Sequence, residues 1–179
     1  ANPNLQVIVV MGDGDATAIG GNHFIHAARR NINLTAIIVN NNIYGMTGGQ
    51  MAPTTLMGQE TSTTPRGREK TAGLPIRMAE LIGEMDGPVY VERVALFNPK
   101  QRVKAKKAIK KAIQLQVENK GYSFVEVLSE CPTHLKITPV EAEKWVEENM
   151  VPIFPLGVKK RRDKREGQSK RGRRGNGGK

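Results

Sequence analysis

Asp13 stands between two glycines at the end of one apolar run. Asn41 stands 28 positions later, inside Asn40-Asn41-Asn42, at the end of a second apolar run. A carboxylate at the mouth of a strand-to-helix turn occupies the place where backbone N–H groups ordinarily meet a phosphate. It would repel that phosphate unless a divalent cation lay between them. Carboxylate, amide and backbone carbonyl oxygens, completed by phosphate and water, suit Mg²⁺. The two residues therefore predict one cation held between strand ends and bridging to a diphosphate. If the strands are neighbours, those ends lie roughly 5 Å apart. Gly12 and Gly14 allow close approach of the backbone.

Competing motifs fail on detail. A dinucleotide fingerprint would need Gly or Ala where Thr17 stands, and an acidic residue near Asn40. An EF-hand starting at Asp13 would need Gly and Glu where Ala18 and Phe24 stand. No Gly-Lys-Ser/Thr of a P-loop is present. The plain alternative is an ordinary turn with Asp13 as a helix cap.

The elements that must position these residues alternate. Gln6 to Met11 is a continuous β-branched run, which suits a parallel strand buried on both faces. Thr17 to Arg30 reads as a helix with Ile19, His23, His26 and Arg30 along one stripe, weakened by Gly20 and Gly21. Leu34 to Val39 is a second buried strand, completing a βαβ unit. Residues 43–74 have no periodicity and read as a long structureless stretch, functional or disordered. Pro75 to Met85 is a short helix, and Pro88 to Val94 a third strand. Pro99 to Lys120 is a long helix with Ala105, Ala108, Ile109, Ala112, Ile113 and Gln116 on one face and its lysines opposite. Ser123 to Leu128 is a fourth strand, and Thr138-Pro139-Val140-Glu141 opens a last helix with a capping box. The fold class is α/β, a mainly parallel sheet flanked by helices.

The net charge of +11 is unevenly placed. Residues 159–179 hold 11 Lys/Arg and 2 Asp/Glu, leaving 17 and 15 in residues 1–158. We therefore expect a domain over 1–158 and a basic disordered tail over 159–179. The tail offers a second function class, a polyanion- or RNA-binding protein, although it lacks an aromatic residue for base stacking. A third is an inactive fragment. No run of about 20 apolar residues exists, so no membrane partner is expected. A single cysteine, Cys131, fits a reducing, cytoplasmic setting. The chain opens with Ala1-Asn2-Pro3 and reaches a strand almost at once, which reads as an N-terminally incomplete domain.

Gly-Asp-Gly followed by Asn-Asn resembles the thiamine-diphosphate motif. The wider stretch GDGDATAIGGNHFIHAARRNINLTAIIVNNNIYGMTGGQMAPTT, from Gly12 to Thr55, resembles the cofactor-binding β subunit of 2-oxoacid:ferredoxin oxidoreductases, of the 2-oxoglutarate type. So do SECPT, TPVEAEKWV and FPLG further on. The similarity covers about residues 5–158. It implies the thiamine-diphosphate-binding fold and an oxidoreductase active only with partner subunits. The implied reaction is CoA-dependent oxidative decarboxylation of a 2-oxoacid with electrons passed to ferredoxin. Implied partners are an α subunit, γ and δ subunits, ferredoxin, the 2-oxoacid and coenzyme A; nucleic acid is not among them.

The resemblance also implies roles. Asp13 and Asn41 match side-chain ligands of Mg²⁺, and Ile43 the backbone carbonyl ligand. Gly12, Gly14, Gly45, Met46 and Thr47 fall where the diphosphate is held. Cys131 matches the last, distant ligand of the family's iron–sulfur cluster, whose other cysteines belong to an upstream segment absent here. No cluster is expected on this chain alone. His23 is the candidate near substrate, set against a packing role for His23 and His26. Thr54, Thr55 and Arg66 are candidates for a substrate-gripping lid over the long loop. The lysines from Lys104 to Lys111 read as a solvated face or a patch for acidic ferredoxin.

Overall fold

A computed structural model describes residue 2 and residues 4–162 of the 179. The apolar runs become strands β1 (Ile8–Gly12), β2 (Thr35–Asn40), β5 (Tyr90–Ala95) and β6 (Ser123–Leu128). Two short strands, β3 (Ile43–Tyr44) and β4 (Gln50–Met51), form a hairpin, and β7 (Gly157–Arg161) closes the described chain. The main sheet has the order β1-β2-β6-β5-β7. Its first four strands are parallel, and β7 runs antiparallel to β5. The helices are α1 (Gly21–Arg29), α2 (Met78–Glu84), α3 (Pro99–Val117), α4 (Pro132–Leu135) and α5 (Pro139–Trp145).

Side chains alternate across each strand, so one sheet buries two cores. On one face Phe24 and Ala28 of α1, with Met78, Ala79 and Ile82 of α2, pack on Ala36, Ile38, Val91 and Phe124. The Phe24 ring meets Phe124 edge-on at 5.0 Å. On the other face Ala105, Ala108 and Ala112 of α3 pack on Ile37, Val94, Val125 and Val127. Alanine at those spacings lets the helix sit close. Lys104, Lys106, Lys107 and Lys110 are exposed on the far side, the solvated face that their spacing predicts. The start of α5 has the predicted capping box, with Thr138 and Glu141 bonded reciprocally.

Four expectations are corrected. β1 is an edge strand, with Ile8 44% and Val10 63% exposed, rather than a strand covered on both faces. A parallel-sheet composition says nothing about place in the strand order. The helix after β1 is broken: one π-type turn spans Asp15–Ile19, closed by Gly20 N donating to Asp15 O at 2.7 Å. In α1 the buried stripe is Gly21, Phe24 and Ala28, and His23 and His26 face out. The long loop is not structureless. Besides β3 and β4, it is pinned by buried Arg68, which donates to the carbonyls of Ala52, Pro53, Thr55, Ala72, Gly73 and Leu74. Finally, the ordered fold continues past the expected boundary at 158. Lys159 and Lys160 lie in β7, bonded to Glu80 and to the carbonyls of Gly83 and Met85. The remainder of the expected tail, 163–179, lies outside the described residues.

Candidate metal and diphosphate site

β1 and β2 pair in parallel with Gly12 beside Val39. That register sets the residues just beyond them, Asp13 and Asn40, abreast at the carboxyl edge of the sheet. Asn41 follows, and Asn42 turns the chain with a left-handed backbone (φ 63°) into β3. Asn42 is fully buried, and neither end of its amide has a partner among the described residues.

Three groups from separate elements converge there. Asn41 N donates to Asp13 Oδ1 at 3.4 Å. The Asn41 amide also faces Asp13 Oδ1 and the carbonyl oxygen of Ile43. With its nitrogen turned towards them it donates at 3.0 and 2.9 Å. With its oxygen turned towards them, three acceptor oxygens meet, and a bound cation would satisfy all three. One carboxylate, one amide and one backbone carbonyl suit Mg²⁺, which keeps several non-protein ligands. Among the described residues no group of three or more His, Cys, Asp or Glu forms, so a site built from those side chains alone is not offered.

Asp13 is 1% exposed. Burial pushes its carboxyl up from the ordinary 3.8 to about 6, against hydrogen bonds from Thr54 and from Asn41 N that favour the ionised form. Thr54 Oγ1 donates to Asp13 Oδ2, and Thr55 Oγ1 donates to Asn42 O at 2.6 Å. Both threonines are buried and bonded inward, so the expectation of a lid at Thr54 and Thr55 is corrected. They brace the ligand turn from below. Arg66 is exposed at the surface of the same loop.

Gly14 owes its smallness to a close approach. A Cβ there would stand 2.6 Å from Cζ of Tyr44, whose hydroxyl donates to Gly14 O at 2.9 Å. Gly12 has open space above it. Gly45, Met46 and Thr47 line the exposed side of the hairpin, with Met46 fully exposed. Thr47 is tied to Gln50 through Oγ1 to Oε1 at 2.6 Å. Gly49 has φ 81°, and a Cβ on it would lie 3.0 Å from His134 Nδ1. The residues expected to hold the diphosphate thus lie along one edge, beside the candidate cation ligands. Cys131 is there too, half-buried, its Sγ 3.5 Å from where a Cβ on Gly45 would stand. His23 is exposed on α1 and is not part of this cluster.

A cavity of about 720 Å³ opens beside the hairpin, between Gly48, Leu56, Ser62, His134 and Trp145. It does not include Asp13, Asn41 or Ile43. Thr54 and Tyr44 were not foreseen as partners of Asp13 and Gly14. The only sequence signal was hydroxyl and glycine content in the long loop. No helix among the described residues is long and apolar enough to cross a membrane.

The chain is similar to several known proteins. The chain is 48% identical over 157 residues to the ketoisovalerate oxidoreductase subunit VorA of Methanothermobacter thermautotrophicus, covering 87% of this chain and 33% of that one. It is 48% identical over 149 residues to the 2-oxoglutarate synthase subunit KorB of Archaeoglobus fulgidus, covering 83% and 52%. The chain thus spans a third to about half the length of these relatives. Among solved structures, 2-oxoglutarate:ferredoxin oxidoreductase from Magnetococcus marinus, with 2-oxoglutarate, coenzyme A and succinyl-CoA bound, superposes with a TM-score of 0.64 at 30% identity. That match covers 82% of this chain and 46% of that one. The family model of the thiamine pyrophosphate enzymes' C-terminal TPP-binding domain matches residues 1–127. The chain belongs to the thiamine pyrophosphate enzymes.

Proposed function

We propose that this chain is the cofactor-binding part of the β subunit of a 2-oxoacid:ferredoxin oxidoreductase, and that it holds thiamine diphosphate through Mg²⁺. The observation that carries the reading is the meeting of Asp13 Oδ1, the Asn41 amide and the Ile43 carbonyl at adjoining strand ends. Asp13, Asn41 and Ile43 O are the proposed cation ligands. Gly12, Gly14, Gly45, Met46 and Thr47 hold the diphosphate. When bound, thiamine diphosphate supplies an electron sink for loss of carbon dioxide from a 2-oxoacid. The chain's own residues bind and orient it: Thr54 keeps Asp13 aimed, and Tyr44 closes over Gly14.

The proposed reaction is oxidation of the 2-oxoacid with coenzyme A as acyl acceptor and ferredoxin as electron acceptor, in a cytoplasmic complex with α, γ and δ subunits. The proposed substrate is 2-oxoglutarate, supported by the names of several relatives and of the solved structure. A branched 2-oxoacid is the second reading, because a ketoisovalerate subunit is as similar. Cys131, beside Gly45, can donate at most one thiolate to a cluster completed elsewhere in the complex.

Calorimetric titration of the 179-residue chain with thiamine diphosphate in Mg²⁺ tests the site. Binding should be saturable, lost in chelator and lost in Asp13→Ala. Equal binding by Asp13→Ala would end the proposal. Assembled with partner subunits, the complex should reduce ferredoxin faster with 2-oxoglutarate than with ketoisovalerate; the reverse would select the second reading.

A further inference from the structure

Asn40 is not among the proposed ligands, yet it is wholly buried and both ends of its amide are used. Its Oδ1 accepts from Asn42 N at 3.1 Å, which closes the turn carrying Asn41 and Ile43. Its Nδ2 donates to Glu126 Oε1 at 2.7 Å. The other oxygen of Glu126 accepts from Arg93 Nε at 2.9 Å. Arg93 spends its remaining nitrogens on Glu80, at 2.7 and 2.6 Å, and on Pro155 O at 3.2 Å. Its guanidinium also lies over the Phe154 ring, 5.3 Å from the centroid. Lys159 of β7 completes Glu80 at 3.1 Å. An unbroken line of polar side chains therefore runs from α2 and β7, across β5 and β6, to the turn at the end of β2.

Packing alone does not account for this line. A buried ion pair is weak support for stability, since apolar side chains of similar volume usually serve as well. Burial opposes ionised Glu80, and the hydrogen bonds and charge of Arg93 overcome it, holding the Glu80 carboxyl below its ordinary range. The fixed consequence is direction. Glu126 is ion-paired with Arg93 at 2.9 Å, and a carboxylate in such a pair accepts, so Glu126 takes the N–H side of the Asn40 amide. That leaves Asn40 Oδ1 to face Asn42 N. We propose that Arg93, Glu126 and Asn40 are positioning residues for the cation site: they lock one rotation of the Asn40 amide and so hold the turn that presents Asn41 and Ile43. The inference rests on the cation-site reading above.

A donor–acceptor swap tests it in the full chain. Asn40→Asp sets two carboxylates against each other. Glu126→Gln leaves one of two incoming N–H donors without an acceptor. Each should weaken thiamine diphosphate binding in Mg²⁺ by about tenfold or more. In Asn40→Asp/Glu126→Gln the new Gln Nε2 donates to the new carboxylate, Gln Oε1 accepts from Arg93, and the charge is conserved. Affinity should return to within about threefold of wild type, a coupling that independent sites would not show. Thermal unfolding in chelator is measured beside it. Single variants that melt earlier but bind as wild type does would make the line merely structural and overturn the inference. So would a folded double variant that binds no better than the singles. If a single variant does not fold, the double variant against wild type decides by the same affinity criterion. Wild type failing to bind, or binding no better than Asp13→Ala, would instead bring down the cation-site reading itself.

Discussion

Asp13→Asn should stabilise the metal-free chain and abolish its response to Mg²⁺. The carboxylate is buried, and its pKa stands at about 6 against an ordinary 3.8. That difference corresponds to about 3 kcal/mol against the ionised form in the fold. Because the folded value is above the unfolded one, the contribution of Asp13 is fully present below about pH 4 and is lost as pH rises through about 6. Asparagine removes the charge and keeps the contacts. Its Oδ1 can accept from Asn41 N, and its Nδ2 can donate to Thr54 Oγ1, since a hydroxyl both gives and accepts. The assay is thermal or urea unfolding in chelator at pH 5 and pH 8. At pH 8 the variant should be more stable by about 2–3 kcal/mol, or about 4–12 °C in Tm for a chain of this size. Near pH 4 the two should converge. With Mg²⁺ and thiamine diphosphate at a hundred times Kd, the wild type should gain about 2.7 kcal/mol and the variant almost nothing. A wild type as stable as Asp13→Asn at pH 8 in chelator would refute the premise that this carboxylate lacks a compensating charge.

Thr54→Val removes the hydroxyl that favours ionised Asp13. It should weaken cation-dependent binding by about 1–2 kcal/mol in calorimetry and raise the pH at which binding begins. Gly14→Ala drives a methyl into the Tyr44 ring and should cost about 1–3 kcal/mol in urea unfolding, with looser cofactor binding. Truncation after Leu156 strips β7 from β5 and leaves half-buried Glu80, the partner of buried Arg93, without Lys159. It should lower Tm by about 5 °C or more. An unchanged Tm would mean that β7 contributes nothing to the sheet.

Much of this fold could be read along the chain, because it depends on neighbours a few residues apart. Ser123–Leu128 forms a strand over the predicted span. Ala105, Ala108, Ala112 and Gln116 face inward as their helical spacing requires. Thr138 and Glu141 cap their helix from three positions apart. Asp13 and Asn41 could be paired from sequence because each ends an apolar run and one crossover joins those runs. The misses lie where partners are distant. Thr54 reaches Asp13 across 41 positions, and Glu126 reaches Asn40 across 86. No period links such residues, so nothing in the loop's composition distinguished a brace from a lid.

The local chemistry of this protein was therefore written in its amino-acid order: alternating strands and helices, two candidate ligands at strand ends, and glycines beside them. Their contacts depended on strand order and register, which only the assembled sheet supplies. Setting β6 between β2 and β5 brings Glu126 within reach of both Asn40 and Arg93. Leaving β1 at the edge exposes a strand whose composition suits a core. Folding lysines of a basic stretch into β7 turns apparent tail into sheet. Each outcome follows from long-range pairing, whose energy is shared among many residues and marked by none of them singly.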